Sequence, residues 1–247
     1  MARRSARFPL DEELGADFWL ELCGDPSPSS RDKFLFLTID EFGRVGPGGF
    51  SHASIARRLG VTVAMINHYF GSRNGLISEA AYLVYSKYME AMVRAVDDAP
   101  RDPESRLRAW INTQISFAVS AAGWQLVLNY PTLSLEDPIE FTVLFRKRIS
   151  AKFNANMARL SLLIKDVQSG SVTQTSIDED NLDIAVYMTD TKLVTLSSTI
   201  AMSTLGAAVW AAGSHAPSAE SDEAKKLGDM LLAQHANYLV DLVKSQA

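Results

Sequence analysis

The most informative stretch of the sequence is residues 51–70, which read SHASIARRLGVTVAMINHYF. Apolar side chains recur at helical spacing on both sides of Gly60, with Ile55 before it and Ile66 and Phe70 after it. A glycine between two helical patterns supplies the left-handed backbone with which a helix ends sharply. The stretch therefore predicts two short helices joined by a tight turn, which is the arrangement of a helix-turn-helix.

The second of these helices has the properties of a helix that reads DNA. It is short, and Ile66 and Phe70 leave its other side facing outward, so that it fits a major groove about 12 Å wide. Asparagine pairs with adenine N6 and N7, and valine and alanine contact the thymine methyl group. Ser51 and Thr62 stand at the two helix starts, where we expect each side chain to cap a backbone amide.

Phosphate contacts must come from residues around this helix, because residues 62–70 contain no lysine or arginine. Ser72 and Arg73 begin the next predicted helix, whose free amides and positive dipole end suit phosphate. Other expected anchors are Arg31 or Lys33 and Arg57 or Arg58. The predicted DNA-binding residues are Ser51, Thr62, Val63, Ala64, Asn67, His68, Tyr69 and Arg73.

The distribution of charge agrees with a local DNA-binding surface. The 247 residues carry a net charge of -5, which argues against a protein that coats nucleic acid by its overall charge. Residues 31–76, however, hold six basic and three acidic residues, whereas residues 77–247 hold fifteen basic and twenty acidic ones. Because salt screens charges beyond about 8–10 Å, a basic region of this size is sufficient to attract phosphate. Ordinary scatter in composition is the alternative explanation.

Helical periodicity continues through most of the chain and predicts an all-α protein. No convincing strand alternation occurs, and Val172–Ile177 is the best strand candidate. Glycines and a proline at 43–49 are expected to end the helix that contains Phe34 to Phe42. The longer predicted helices cover residues 73–96, 103–122, 138–168, 178–212 and 219–245.

Several function classes lack the residues they need. Cys23 is the single cysteine, and the four histidines show no metal-ligand spacing, so we expect no metal, no cofactor and no disulfide. Neither a phosphate-binding glycine loop nor a Gly-x-Ser-x-Gly motif is found, and we expect no enzyme activity. No secretory signal follows Met1, which predicts a cytoplasmic protein. The uncharged residues 193–219 are long enough for a membrane span, although a buried helix explains their many hydroxyl residues better.

Residues 31–77 combine elements that together form a known pattern. They are Phe34 to Phe42, Ile55, Ala56, Leu59-Gly60-Val61-Thr62, Ile66, Tyr69, Phe70, Ser72, Arg73 and Leu76. In these positions the chain resembles the TetR family of bacterial transcriptional regulators. Asn67 stands where the family usually has tyrosine, and Arg73 replaces the usual lysine.

The resemblance implies a three-helix helix-turn-helix domain followed by a larger helical domain for ligand binding and dimerisation. We therefore expect an extension at 1–30, a DNA-binding domain at 31–76 and an effector-binding and dimerisation domain at 77–247. The last two long helices would pair with those of a second copy in a four-helix bundle. Independently, residues 193–210 are more uniformly apolar and small than one intramolecular face requires, although a core helix of a monomer is the alternative.

The middle of the chain is rich in aromatic residues, which suits a small apolar or amphipathic effector. The candidate pocket residues are Trp110, Phe117, Trp124, Tyr130, Phe141 and Phe145. At helical spacing such residues also form ordinary cores, and this alternative stays open.

Two function hypotheses follow from the sequence. The first is a ligand-responsive repressor that binds double-stranded DNA at a palindromic operator as a homodimer, because two half-sites multiply the specificity of one short helix. The second is a helical ligand-binding or interaction module whose helix-turn-helix no longer reads DNA, which Asn67 and the glycines at 46–49 motivate.

Overall fold

The computed structural model describes residues 16–121, 124, 127–128, 135, 137–178, 182, 184–214 and 222–246. Within these residues the secondary structure is helical and contains no strand, which confirms the predicted all-α class. The helices are α1 (Ala16–Cys23), α2 (Ser30–Gly49), α3 (His52–Arg58), α4 (Val63–Phe70), α5 (Arg73–Asp97), α6 (Pro103–Ser120), α7 (Pro138–Ser169), α8 (Ile184–Thr189), α9 (Thr191–Ser214) and α10 (Asp222–Ser245).

Helix α2 is longer than the sequence predicted. Gly43 lies inside it, and the helical backbone is interrupted at Gly46, where φ is 68° and ψ is 177°. A single glycine costs a helix only about 1 kcal/mol relative to alanine, so Gly43 does not end α2. The left-handed Gly46 makes the kink, and the Phe50 amide then donates to the Gly46 carbonyl oxygen at 3.1 Å.

The chain divides into two compact units. Of the described residues, the first contains those up to Val84 and those between 126 and 147, and the second contains those between 85 and 125 and those from Arg148 onward. The first unit thus includes the helix-turn-helix and also part of the region that we expected to serve effector binding. Compactness does not test function, and the division at 30 and 76 into functional domains stays a prediction.

The core of the second unit is formed by α6, α7, α9 and α10. Helix α9 packs against α6 and α10. Polar contacts within this core fix the helix positions: the Trp110 indole Nε1 donates to Asn156 Oδ1 at 3.4 Å, and the hydroxyls of Ser161 and Ser197 lie 2.8 Å apart. Because buried polar groups are costly unless they are paired, these contacts favour one register of α7 against its neighbours.

An extended segment follows α7 and is held by side chains rather than by a sheet. Asp97 accepts hydrogen bonds from the Ile177 amide and the Ser176 hydroxyl. The buried Arg106 guanidinium donates to the carbonyl oxygens of Gln174 and Thr175. Residues 172–177, the best strand candidate in a sequence without convincing strand alternation, form no strand, because side chains take the hydrogen bonds that a neighbouring strand would otherwise provide.

The helix predicted at 178–212 is two helices, α8 and α9. They are separated at Asp190, whose carboxylate accepts from the amides of Lys192 and Leu193 and so caps the start of α9. By length and composition Thr191–Trp210 is apolar enough to cross a membrane, with a mean hydropathy of 1.4. Only 28% of that window is buried within the chain, and a helix of this kind is weak evidence for a membrane span.

Candidate nucleic-acid interface

The turn between α3 and α4 ends α3 with a complete Schellman motif. The Val61 amide donates to the Ala56 carbonyl oxygen at 2.9 Å, and the Gly60 amide donates to the Arg57 carbonyl oxygen at 3.1 Å. Gly60 adopts a φ of 62°, a conformation that costs glycine nothing and other residues about 1–2 kcal/mol. The predicted turn and its left-handed glycine are thereby confirmed.

The inner faces of α3 and α4 are also as predicted. Ile55 and Ile66 are fully buried, and Ala56 and Phe70 are buried beside them. The prediction of two side-chain capping hydrogen bonds is wrong, however. Ser51 and Thr62 stand at the N-cap positions, but neither side chain bonds to the amides of its helix. Their carbonyl oxygens accept from the first turn instead, as in any helix.

The outward face of α4 presents the predicted reading residues to solvent. Ala64, Asn67 and His68 are exposed, Thr62 is exposed at the helix start, and Val63 is half-buried. Tyr69 is 41% exposed, so its ring packs partly against the protein while the rest stays accessible. This face is compatible with base-edge contacts, and the DNA-binding role of each residue stays a prediction.

Aromatic and cationic contacts support α4 from behind. Phe34 on α2 contacts the rings of Tyr69 and Phe70, at centroid distances of 5.8 and 6.1 Å. The Arg31 guanidinium lies 5.2 Å from the Phe70 ring centroid. Contacts of this size are worth about 0.5–1.5 kcal/mol each beyond the buried area, and together they fix the direction in which Asn67 points.

The expected phosphate anchors differ in how far protein groups already engage them, and the Lys33 ammonium lies 5.5 Å from the centroid of the Trp19 ring. Arg31 pairs with Glu79, and Arg58 lies 3.5 Å from carboxylate oxygens of both Asp40 and Glu41. Arg57 is exposed and forms no ion pair with any residue that the structure describes. Of the expected phosphate anchors, Arg57 is therefore the one best placed to exchange water for a DNA phosphate.

Arg73 has a packing role in addition to the predicted one. It is half-buried, with its guanidinium 5.5 Å from the centroid of the Phe50 ring. A cation placed over an aromatic face is attracted by the ring electrons. A phosphate contact by Arg73 would therefore be made by a guanidinium that is held against the Phe50 ring.

The start of α5 is already occupied by protein side chains, which the sequence did not reveal. The Ser72 hydroxyl accepts from the Gly75 amide at 3.0 Å and donates to Glu140 Oε1 at 2.8 Å. The buried Asn74 amide group donates to Glu140 Oε2 and to the Asp137 carbonyl oxygen, both at 2.9 Å. Of the backbone amides expected to be free for phosphate at this end of α5, that of Gly75 is thus bonded to Ser72, and the Glu140 carboxylate lies against the Ser72 and Asn74 side chains.

Gly75 is a second residue that sequence reasoning missed. A Cβ atom at this position would lie 1.9 Å from the Phe70 carbonyl oxygen. Only glycine allows the last turn of α4 and the first turn of α5 to approach so closely. The dipeptide Asn74-Gly75 was the available signal, since glycine is unfavourable in a helix unless packing requires it.

The predicted pocket residues are distributed over both units. Trp110 and Trp124 are buried in the second unit, and Phe117 stacks there on Tyr88 at a centroid distance of 4.4 Å. Phe141 and Phe145 are buried in the first unit and stack on each other at 5.3 Å. Tyr130 lies outside the described residues. Their role in effector binding stays a prediction.

Two buried phenols follow one another here: Tyr88 stacks on Phe117, and the Tyr85 ring centroid lies 6.2 Å from that of Tyr88. Burial raises the pKa of Tyr85 and of Tyr88 well above the usual value for tyrosine. Both side chains are therefore neutral at physiological pH and act as large amphipathic groups. Within the described residues no group of histidine, cysteine and acidic side chains is arranged to hold a metal ion.

Comparisons with known proteins agree with this geometry. Residues 37–80 match the family model described as bacterial regulatory proteins, tetR family. The chain is 26% identical over 151 residues to the HTH-type transcriptional regulator BetI of Burkholderia cenocepacia, a match that covers 60% of this chain and 78% of that protein. It is 25% identical over 112 residues to BetI of Stenotrophomonas maltophilia, where the match covers 45% of this chain and 57% of the relative's length.

A solved structure shares the fold. A TetR/AcrR-family transcriptional regulator from Thermobifida fusca superposes with a TM-score of 0.52 at 18% identity, covering 85% of this chain and 96% of the other. At that identity the likeness concerns the fold alone. The family-model match, the related regulators and the shared fold agree: residues 37–80 match the TetR-family helix-turn-helix, and the chain is similar to TetR-family transcriptional regulators.

Proposed function

We propose that this protein is a ligand-responsive repressor that binds a palindromic operator in double-stranded DNA as a homodimer. The observation that carries the proposal is the outward face of α4, where Ala64, Asn67 and His68 are exposed on a helix fixed from behind by Phe34 and Phe70. A rigid helix with polar and small exposed side chains is what direct readout of base edges requires.

Each predicted contact residue has a distinct task in this proposal. Asn67 pairs with adenine, while Val63 and Ala64 contact a thymine methyl group. Thr62, Tyr69 and Ser51 hold phosphate oxygens at the ends of the two short helices. His68 and Arg73 are the remaining predicted DNA-binding residues. Arg57 joins them as a phosphate anchor because it is exposed beside α4.

The dimer is supported by an uncharged stripe along α9. Thr195, Thr199, Met202, Gly206 and Trp210 follow one another at helical spacing and are exposed within the single chain. Met202 is 70% and Trp210 48% exposed on this stripe, and contiguous exposed apolar side chains of this kind mark interaction surfaces.

Helix α10 continues this surface with exposed apolar residues of its own. Met230, Leu231 and Tyr238 lie on it, with exposed fractions of 49%, 39% and 63%. A second copy that covers both helices would remove this apolar area from water, at about 25 cal/mol for each Å² buried. The arrangement is isologous, because the same two helices face themselves across a two-fold axis.

The remaining parts of the proposal concern location and response. The protein acts in the cytoplasm, where its DNA is, and works by binding rather than by catalysis. A small effector binds in the helical region at 77–247 and stabilises a spacing of the two reading helices that does not fit the operator. For this the effector must bind one state more tightly than the other.

DNA binding is tested by fluorescence anisotropy with DNA from the region upstream of the protein's own gene. We expect salt-dependent binding to a palindromic segment, and a loss of about 5–150-fold in affinity for Asn67→Ala, the range of one bidentate base contact. Asn154→Ala is the matched control, since Asn154 is exposed on α7 and lies outside the reading face.

The same titration separates the two function hypotheses. If no upstream segment binds at low salt, or if Asn67→Ala binds as tightly as the unchanged protein, the helix-turn-helix does not read DNA. The chain would then be a helical ligand-binding or interaction module that keeps only the shape of the family.

The dimer is tested by sedimentation velocity of Met202→Glu. A carboxylate in the centre of the α9 stripe would be buried without a partner in a dimer, so we expect a monomer. Phe153→Glu is the control, because Phe153 is exposed on α7, away from the stripe. A Met202→Glu protein that sediments as a dimer would refute the proposed interface.

A further inference from the structure

A cleft in the second unit is separate from the reading face and from the proposed dimer stripe. Its volume is about 290 Å³, close to the lower limit of small-molecule sites. One wall is a single face of α5, which carries Ser86, Met89 and Val93 at spacings of three and four residues. The other wall is α7, with Lys152 and Arg159 two turns apart.

The cleft is positively charged although the chain around it is acidic. Arg94 and Lys152 line it, and neither forms an ion pair with any residue in the described part of the chain. Glu90 also lines the cleft, but its carboxylate is paired with Lys87, accepting from Nζ at 3.0 Å. The lining acid Asp178 is the remaining negative group. A positive site in an acidic domain attracts anions selectively.

The buried Arg159, which also lines the cleft, adds to this potential. It is only 4% exposed, and its Nε donates to the Ile177 carbonyl oxygen at 2.8 Å. A guanidinium stays charged at every physiological pH. Its position is therefore fixed, and its charge acts through a medium of low dielectric constant.

The Ser86 hydroxyl is the observation that points to a ligand. Its Oγ atom is inaccessible to solvent and has no hydrogen-bond partner among the described residues, although Ser86 lines the cleft. A buried hydroxyl without a partner costs about 1–3 kcal/mol, so such groups are normally satisfied. An acceptor oxygen in the cleft would restore the missing bond.

The apolar part of the lining indicates which chemical group the ligand carries next to its anionic group. Met89 is buried on α5, and Val93 is half-buried one turn further along the same face. Together they offer an apolar surface next to the cationic groups. A fully hydrated inorganic anion would leave this surface uncovered, whereas a short alkyl chain would remove it from water.

We infer that this cleft binds a small organic carboxylate. The carboxylate lies against Arg94 and Lys152 and accepts a hydrogen bond from the Ser86 hydroxyl, and the alkyl part lies on Met89 and Val93. The inference goes beyond the proposed function, because it states a binding site and a ligand class that hold whether or not the protein reads DNA.

The test is a ligand-observed NMR titration of the full-length protein with sodium hexanoate. We expect saturable binding to one site for each chain. Lys152→Ala and Arg94→Ala should each raise the dissociation constant about fivefold. Loss of a buried charged hydrogen bond would have a larger effect, but both side chains are solvated and their interaction with the carboxylate is screened by water. Ser86→Ala should raise it about threefold by removal of one neutral hydrogen bond.

Three controls make the result specific. Lys165→Ala removes a lysine that is exposed on the same helix but does not line the cleft, and it should leave the dissociation constant unchanged. 1-Hexanol tests the need for the charge, and sodium phosphate tests the need for the alkyl chain. Both are expected to bind more weakly than hexanoate.

Several outcomes would overturn the inference. They are the absence of hexanoate binding, equal binding by the Lys152→Ala protein, equal binding of 1-hexanol, and phosphate binding that matches that of hexanoate. The circular dichroism spectrum of each variant shows whether it is folded. Operator affinity is measured on the same samples, and a failure of DNA binding would leave the hexanoate result standing.

Discussion

The close approach of α4 and α5 at Gly75 allows a quantitative prediction about the stability of the predicted DNA-binding domain, residues 31–76. Replacing Gly75 with alanine would place a Cβ atom 1.9 Å from the Phe70 carbonyl oxygen, whereas real Cβ contacts essentially never fall below 3.0 Å. The two backbones must therefore separate by at least 1.1 Å, the difference between these values. Because the obstacle is backbone, a change of rotamer cannot relieve it.

The cost follows from this displacement. Overpacking by a methyl group usually costs about 1–3 kcal/mol and more where backbone must move, so we expect Gly75→Ala to lose about 3 kcal/mol of unfolding free energy. Gly43→Ala is the matched control, since Gly43 lies in α2 with nothing within 4 Å of an added Cβ. The same chemical change there should stabilise the protein by about 0.5–1 kcal/mol.

The assay is urea denaturation followed by circular dichroism at a fixed protein concentration. A lower transition midpoint for Gly75→Ala and an equal or higher one for Gly43→Ala are expected. Since Phe70 ends the reading helix, operator affinity should fall together with stability in the Gly75 variant. A Gly75→Ala protein whose stability stays within about 0.5 kcal/mol of the unchanged chain would show that the contact with Phe70 is not as close as described.

Three further predictions concern single side chains. Asn74→Ala removes hydrogen bonds to Asp137 and Glu140, and urea denaturation should show a loss of about 2–3 kcal/mol; a change below 0.5 kcal/mol would contradict this. Arg57→Ala should lower the slope of log affinity against log salt by about one in DNA titrations, and an unchanged slope would remove Arg57 from the phosphate contacts. Burial lowers the pKa of His235 below 6.5, so the unfolded chain binds this proton more readily than the folded one. Stability should therefore fall as the pH drops through 6.5, and His235→Gln should reduce that fall in urea midpoints measured at several pH values; an equal fall in both proteins would exclude His235 as its cause.

Much of the reading domain was predictable because it depends on local rules. The positions of Ile55, Gly60, Ile66 and Phe70 set the helix faces and the turn, and the structure confirms each of them. Capping was predicted less well. Ser51 occupies the right position, yet residue type alone does not determine whether its hydroxyl turns toward the amides.

The all-α class, the helix-turn-helix and the outward face of α4 follow from local sequence patterns, because helical periodicity and turn chemistry act between residues a few positions apart. Which charged groups remain available to a ligand depends instead on how distant parts of the chain pack. Glu140 meets Ser72 and Asn74 across more than sixty positions, and the cleft joins α5 to α7 around the unpaired Ser86 hydroxyl. Such contacts depend on how helices pack, which no local pattern encodes, and for this reason the sequence could not predict them.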